Sequence, residues 1–135
     1  HQQEQEISVW RGIAFEEMCL RHVLQIKQTL QIAGVASVET AYVSRGEDGG
    51  SVGMQIDLVI NRHDDVVNLC EMKFTKAPLT VSNAYAQTVE LRREALEMLF
   101  PRKTVNATIV TTLPMNRNSH STVFQSAVLL DDLFV

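Results

Sequence analysis

The chain has 135 residues, of which 45% are hydrophobic, and this length suits a single domain with a core of its own. Its formal net charge of −4 excludes a general attraction to polyanions, so any nucleic-acid surface must be a local basic patch. The two cysteines, Cys19 and Cys70, lack the spacing of a structural zinc site, and we expect them to be reduced core residues.

The sequence also bears on where the protein works. No apolar run approaches the roughly 20 residues that a membrane span requires, and the polar start is unlike a signal peptide. We therefore expect a cytoplasmic protein that does not enter membranes. Because the chain has no initiator methionine and opens in a helical pattern, we expect it to be excised from the C-terminal part of a larger protein.

The first half of the chain predicts one helix and three strands. Apolar side chains recur at helical spacing over residues 6–32, and Gly34 then suits a helix stop. Residues 35–44 are predicted to form a strand, and the glycine-rich residues 45–50 a turn. Two further strands, at about 53–61 and 66–74, are joined by a short polar turn.

The second half predicts a helix and a strand. Ser82 or Asn83 can cap a helix that runs to about Phe100, where Pro101 marks a stop. Residues 105–112 alternate as a strand does, and the tail from about 119 is compatible with a short helix before an apolar ending. The order helix, three strands, helix and strand predicts an α/β sandwich on a mixed sheet.

Charged side chains lie inside two otherwise apolar strands. Asp57 belongs to the first of them, and Glu71 and Lys73 lie two residues apart in the second, so these two share a face. We call these three residues the strand cluster. Because an unpaired charge is costly to bury, the cluster predicts either a metal-dependent phosphodiester site or an ion-pair network on a half-exposed sheet.

An antiparallel hairpin with Asp57 opposite Glu71 makes residues 63–65 a three-residue turn, a common hairpin length. Asp57 then shares a face with Val59. The same register gives two further pairs: Val59 with Leu69, and Gln55 with Lys73. Because carboxylates facing each other across a ladder repel, we expect a cation such as Mg²⁺ or Mn²⁺ between them. A lysine beside that cation would orient or activate water, or neutralise charge on a phosphate.

A further carboxylate lies on the first helix. Glu16 follows the row of apolar side chains and should point towards the sheet. Gly12, one turn earlier, is expected to let the helix approach another backbone closely. An inward carboxylate needs a partner, and the strand cluster is the predicted one. The alternative is a plain ion pair of Glu16 with Lys73 or Lys27.

Together these residues resemble the PD-(D/E)XK nuclease superfamily, which combines a helix Glu, a strand Asp and a Glu-x-Lys on the next strand. The matching residues are Glu16, Asp57, Glu71 and Lys73. The segments 53–60, 69–74 and 130–134 are similar to the C-terminal nuclease-like domain of archaeal and bacterial P-loop ATPases of the AAA type. This resemblance covers nearly the whole chain.

The resemblance implies a three-layer α/β/α restriction-endonuclease-like fold around a central mixed sheet. It further implies a DNA endonuclease that uses Mg²⁺ or Mn²⁺, with Glu16, Asp57, Glu71 and Lys73 as the catalytic set. The implied metal ligands are Asp57, Glu71 and the backbone carbonyl of Met72. Lys73 would position the attacking water, and Glu16 would bind a second metal ion or an outer water. The expected supporting residues are Gln55 and Gln87.

The chain departs from the superfamily in one motif, because Ile56 stands where the leading Pro is found. It contains no GxxxxGK[ST], so nucleotide binding is expected only in a covalently linked ATPase domain. One alternative function is a catalytically silent DNA- or protein-binding module that regulates this ATPase. A second alternative is a toxin-like or tRNA-directed nuclease. The sequence leaves the oligomeric state open, a homo-oligomer included.

Other charged and aromatic residues have plainer interpretations. Arg92 and Arg93 lie among glutamates of the second helix, and we expect mostly solvated pairs within that helix. Tyr42 and Tyr85 could stack on bases, but isolated aromatic residues more often serve packing.

Overall fold

The structure is a computed structural model that describes residues 2–46 and 52–134. Its helices are α1 (Gln2–Arg21), α2 (Val23–Thr29) and α3 (Asn83–Leu99). Its strands are β1 (Ser37–Arg45), β2 (Val52–Arg62), β3 (Val66–Lys73), β4 (Thr104–Thr111) and β5 (Ser126–Leu129). Short 3₁₀ helices at Ser121–Val123 and Leu130–Phe134 flank β5. Most of the glycine-rich turn predicted over 45–50 lies outside the described residues.

The five strands form one mixed sheet in the order β1-β2-β3-β4-β5. The β1–β2 and β2–β3 neighbours are antiparallel, and the β3–β4 and β4–β5 neighbours are parallel. Helix α3 is the crossover between the parallel strands β3 and β4, as the βαβ connection requires. The prediction of a mixed sheet is confirmed, and β5 adds a strand that the sequence pattern did not indicate.

Helices cover both faces of this sheet. The α1-side core lies under α1, α2 and the 130–134 helix and consists of Phe15, Cys19, Ile26, Ile32, Leu58, Ile60, Cys70, Met72, Val110, Val128 and Leu133. The α3-side core consists of Ile56, Val59, Val67, Leu69, Val81, Val89, Leu96, Val105, Ala107, Ile109, Val123 and Phe124. Two cores on opposite faces of one sheet give the three-layer α/β/α arrangement that was expected.

The first helix is broken, where the sequence pattern predicts one continuous helix. His22 leaves the helical conformation (φ −118°), and its backbone N–H bonds to the carbonyl of Cys19 instead of that of Met18. The imidazole Nδ1 of His22 donates to the Met18 carbonyl at 2.8 Å. The side chain thus replaces the backbone as the partner of that carbonyl, which allows a break without an unsatisfied group.

Two expectations for glycines in this region are wrong. The second helix ends before Gly34, because Gln31 takes the left-handed conformation (φ 61°) and Ile32 donates back to the carbonyl of Lys27. Gly12 does not mark a close approach, since a Cβ built there meets nothing within 4 Å. Helix α1 is therefore held to the sheet by side chains further along.

The β2–β3 hairpin has the predicted register where the strands pair. Val59 lies opposite Leu69, and residues 63–65 form the turn. Asp65 closes this turn with a positive φ of 67°, a conformation that Asp tolerates better than most residues.

Among the described residues, the β2–β3 ladder ends at Leu58 and Cys70, one step short of Asp57 and Glu71. The strands continue beyond this point on other partners, β2 beside β1 and β3 beside β4. The expected pairs of Asp57 with Glu71 and of Gln55 with Lys73 fall in this unpaired region.

A β-bulge in β2 changes the direction of one side chain. The β1–β2 register shifts so that Ala41 stands opposite both Asp57 and Leu58. Ile56 and Val59 consequently both belong to the α3-side core, which strict alternation would forbid. The prediction that Asp57 shares a face with Val59 is therefore wrong, because the extra residue turns the strand over between them.

Helix α3 begins and ends where the sequence predicts. Ser82 is its N-cap, and its Oγ accepts from the backbone N–H of Tyr85 at 3.1 Å. The helix ends at Leu99, with Phe100 as the C-cap before Pro101. Within residues 2–46 and 52–134, no helix has the length and apolar character that crossing a membrane demands.

Candidate functional site

An aromatic contact places α1 over the end of β3. Phe15 is buried, and its ring meets the edge of Phe74 with the centroids 6.1 Å apart. Phe74 directly follows Lys73, and Glu16 directly follows Phe15. This contact brings the helix carboxyl group to the end of the sheet that carries the strand cluster.

The carboxyl groups of Glu16 and Asp57 meet at this place. The pKa of Glu16 is raised, first by burial and then by the charge of Asp57 and a hydrogen bond between the two side chains. The amide of Gln55 also donates to Asp57, from Nε2 to Oδ1 at 2.8 Å. Two carboxyl groups in hydrogen-bond contact need a shared proton or a cation, because both ionised forms would repel.

Glu71 faces the opposite layer. The residue is only 6% exposed, and its Oε1 accepts from the hydroxyl of Tyr85 at 2.7 Å and from Nη1 of Arg92 at 2.5 Å. Burial and the neighbouring Glu71 together raise the pKa of Tyr85, so the phenol stays a proton donor. A buried carboxylate is thus satisfied by one neutral and one charged donor from α3.

Lys73 follows Glu71 by two residues in β3 and shares its face of the sheet. Its Nζ stands 4.8 Å from the centre of the Tyr85 ring, a cation–π distance, and the residue is exposed. Its charge lowers the pKa of Glu16, against the larger effects that raise it, while the charge of Glu71 adds to those raising effects. The four residues of the expected catalytic set therefore lie within electrostatic reach of one another.

The arrangement of these carboxylates is open rather than convergent. Within the described part of the chain, no three His, Cys, Asp or Glu side chains lie close enough to hold a metal ion together. The donor chemistry nevertheless fits a hard divalent cation, because the Glu16–Asp57 pair consists of oxygen ligands that need a positive partner. Glu71 would have to turn away from Arg92 to join that pair.

The other expected residues are placed less directly. Met72 lies between Glu71 and Lys73, with its side chain in the α1-side core and its backbone paired with Val110 of β4. Gln87 is exposed and lines a groove between α3 and residues 119–123, so the structure does not bring it to the strand cluster.

Tyr85 and Arg92 occupy the place beside Glu71 that a helix glutamine was expected to take. They are seven residues apart, which is two helical turns, and they share a face with the core residues Val89 and Leu96. The helical spacing that directs Glu16 inward would have identified them. Their direction was missed because the acidic neighbours of Arg92 on α3 suggested local pairing.

The interpretation of the two arginines as mostly solvated helix pairs is wrong. Arg92 binds Glu71, which is 21 residues away. Arg93 donates to the backbone carbonyls of Val105 and Val123 at 2.6 and 2.7 Å, with only a longer 3.4 Å ion pair to a helix neighbour, Glu90. Partners remote in sequence outcompete those on the same helix because they are less exposed to water.

A groove near the site carries basic side chains. It has a volume of about 840 Å³ and lies between the first turns of α1 and the segment after β3. Arg11 and Lys76 line it, together with the acidic Glu4. Lys76 follows Lys73 by three residues, and none of the residues that line the groove belongs to the strand cluster.

No family model and no curated protein matches this chain. The crystal structure of AF1548, a protein of unknown function, is similar to it, with a TM-score of 0.54 and 17% sequence identity. The similarity covers 83% of this chain and 61% of that one, so the chain spans less than two thirds of the length of AF1548. At this identity the likeness concerns the fold alone, and it agrees with the architecture described above.

Proposed function

We propose that this chain is a metal-dependent nuclease domain that hydrolyses DNA phosphodiester bonds with Mg²⁺ or Mn²⁺. The observation that carries the proposal is the contact of Glu16 with Asp57 at the sheet end where Glu71 and Lys73 also lie. A carboxyl pair of this kind, next to a lysine, is suited to a cation and a phosphate. We further propose that the domain is cytoplasmic and belongs to a larger protein with a P-loop ATPase.

Each residue then has a distinct role in the proposed reaction. Asp57, Glu71 and the backbone carbonyl of Met72 would hold the cation, and Glu16 would add an oxygen or bind an outer water. The cation, when bound, supplies positive charge for the phosphate and lowers the pKa of bound water. Lys73, whose ammonium lies beside the Tyr85 ring, would orient the attacking water and donate to a phosphate oxygen.

The substrate would approach along the basic groove. Arg11 and Lys76 line it, and their charges suit contacts to a phosphate backbone. Because the net charge of the chain is −4, such contacts must be local, and binding should weaken with salt.

Cleavage assays on single-residue variants test the proposal. The full-length protein is incubated with plasmid, branched and single-stranded DNA in Mg²⁺ or Mn²⁺, and with RNA to identify a tRNA-directed enzyme. Asp57→Asn, Glu71→Gln and Lys73→Met should each reduce DNA cleavage by roughly 10²–10³-fold without unfolding the protein. Asp65→Asn in the exposed hairpin turn is the matched control and should cleave normally. Equal turnover by all four variants would reject the nuclease assignment.

A second candidate is a catalytically silent module that binds DNA or protein and regulates the ATPase. The bonds of Glu71 to Arg92 and Tyr85 favour it, because they occupy a carboxylate that a nuclease needs. This candidate predicts no heat of Mg²⁺ binding in calorimetry, together with DNA or protein binding that Asp57→Asn leaves unchanged. The nuclease proposal predicts Mg²⁺ binding that the same substitution removes.

A further inference from the structure

The Glu71 carboxylate already has a positively charged partner within the chain, the guanidinium of Arg92. Its Oε1 accepts from both Tyr85 and Arg92, and the side chain of Arg92 is 26% exposed, whereas that of Glu71 is almost fully buried. A contact with one buried partner is screened less than a surface ion pair, so it holds the carboxylate firmly.

The two donors differ in charge, and this difference separates their effects on a divalent cation. Tyr85 donates a neutral hydroxyl, which a carboxylate can keep while it also binds a metal ion. Arg92 carries a full positive charge on the same oxygen, Oε1, and would repel a second cation there. The guanidinium therefore opposes metal binding, and the hydroxyl does not.

The positions of Tyr85 and Arg92 on α3 allow Arg92 to release Glu71 while Tyr85 stays in place. The N-cap at Ser82 fixes the turn that carries Tyr85, and the neighbouring Val89 lies fully in the core. Arg92 lies two turns further on, where the partly exposed guanidinium can move towards solvent. The guanidinium of Arg92 can thus leave Glu71 by a rotation of its own side chain, with α3 in place.

Resting on the proposed function, we infer that Arg92 is a positioning residue that competes with the divalent cation for the Glu71 carboxylate, and that Tyr85 orients the carboxylate in both states. Without the cation, Arg92 holds the Glu71 carboxylate against α3. A bound divalent cation would displace the guanidinium from that carboxylate.

Calorimetric titration with Mn²⁺ tests the competition without relying on activity. The full-length protein and its Arg92→Gln variant are titrated at fixed pH and ionic strength. Removal of the competing charge should tighten Mn²⁺ binding by roughly 5–50-fold, within the usual range of coupling between two sites. Arg92→Lys keeps the positive charge that repels the metal ion and should stay within about threefold of the wild type. Arg102→Gln, which removes an exposed charge from the turn after α3, should leave the affinity unchanged.

Two further variants keep the outcome decisive. Arg92→Met retains the apolar stem and replaces Arg92→Gln if the latter does not fold. Tyr85→Phe should weaken Mn²⁺ binding, because the carboxylate loses its neutral donor. Equal or weaker affinity in a folded Arg92→Gln or Arg92→Met protein would overturn the competition.

The same titrations separate this inference from the function on which it rests. Asp57→Asn is introduced into both the wild-type protein and the Arg92→Gln protein. If it abolishes Mn²⁺ binding in both, the proposed metal site is supported, and the effect of Arg92→Gln alone decides whether Arg92 competes with the metal ion. If no Mn²⁺ binds to the wild type or to any Arg92 variant, both the competition and the nuclease proposal fail. Binding that appears only after Arg92 is replaced supports both.

Discussion

The side chains of Glu16 and Asp57 share a hydrogen bond between helix α1 and strand β2. Because burial, then the charge of Asp57 and this hydrogen bond raise the pKa of Glu16, the folded state holds a proton that the unfolded chain releases at lower pH. Stability from this proton is present below the unfolded pKa and is lost as the pH rises through the folded one.

Replacing Glu16 by Gln should therefore stabilise the protein at pH 8 and leave it unchanged near pH 4. We expect a rise in Tm of only about 2 °C at the higher pH, because the Glu16 carboxyl group is partly exposed and water screens its interactions. Glu17→Gln, one residue along on the exposed side, is the control. Thermal unfolding across pH 4–8 checks this, and a gain that is larger at pH 4 would contradict it.

Arg93 should contribute strongly to stability. Its guanidinium joins α3 to β4 and to the 121–123 helix through the carbonyls of Val105 and Val123. Arg93→Met leaves those carbonyls without a charged donor and should lower the free energy of unfolding by about 2–3 kcal/mol. Urea unfolding measures this, with Arg102→Met as the exposed control. If Arg93→Met lowers the free energy of unfolding no more than Arg102→Met does, the contacts of Arg93 do not stabilise the fold.

A buried polar network spans three strands of the sheet. Asn68 donates to the hydroxyl of Thr108 at 3.2 Å, and that hydroxyl lies 2.7 Å from the hydroxyl of Ser126. Thr108→Val keeps the shape but removes the acceptor of a buried amide, so it should cost about 1–3 kcal/mol. Ser126→Ala, at a partly exposed site, should cost less. Chemical denaturation compares the two variants, and the reverse order would argue against the network.

The cysteine thiols should be inert in the folded protein. Cys19 and Cys70 are buried and free, and burial raises the pKa of each thiol to about 12. Reaction with Ellman's reagent at pH 8 should therefore proceed only as fast as the protein unfolds. Rapid labelling in urea is the control. Immediate labelling of either thiol in the native protein would contradict its burial.

Local signals predicted the parts of the fold that depend on neighbours in sequence. Ser82 and Pro101 bracket α3 because caps act within one turn, and the β2–β3 hairpin follows from alternation and a short turn. Strand β5 was missed, because its four residues are recognisable as a strand only through parallel pairing with β4. The break at His22 was missed because it depends on one side-chain bond.

In the candidate site, too, local patterns predicted some features, and contacts with remote residues determined the others. Helical spacing placed Glu16 at the strand cluster, which the structure bears out through its contact with Asp57. Alternation failed for Asp57 itself, because a bulge cannot be read from a pattern of apolar residues. The partners of Glu71 lie 14 and 21 residues away on another element, beyond the reach of local rules.

The bulge in β2 has a consequence for how such a site could arise. With one added residue, the strand presents both Leu58 and Asp57 towards the α1 layer, the first for packing and the second for polar contact. In a strand of regular alternation, Asp57 and Leu58 would point to opposite faces of the sheet. The bulge therefore lets one strand offer an acid and a packing side chain to the same layer, while Ile56 and Val59 stay in the core on the other face.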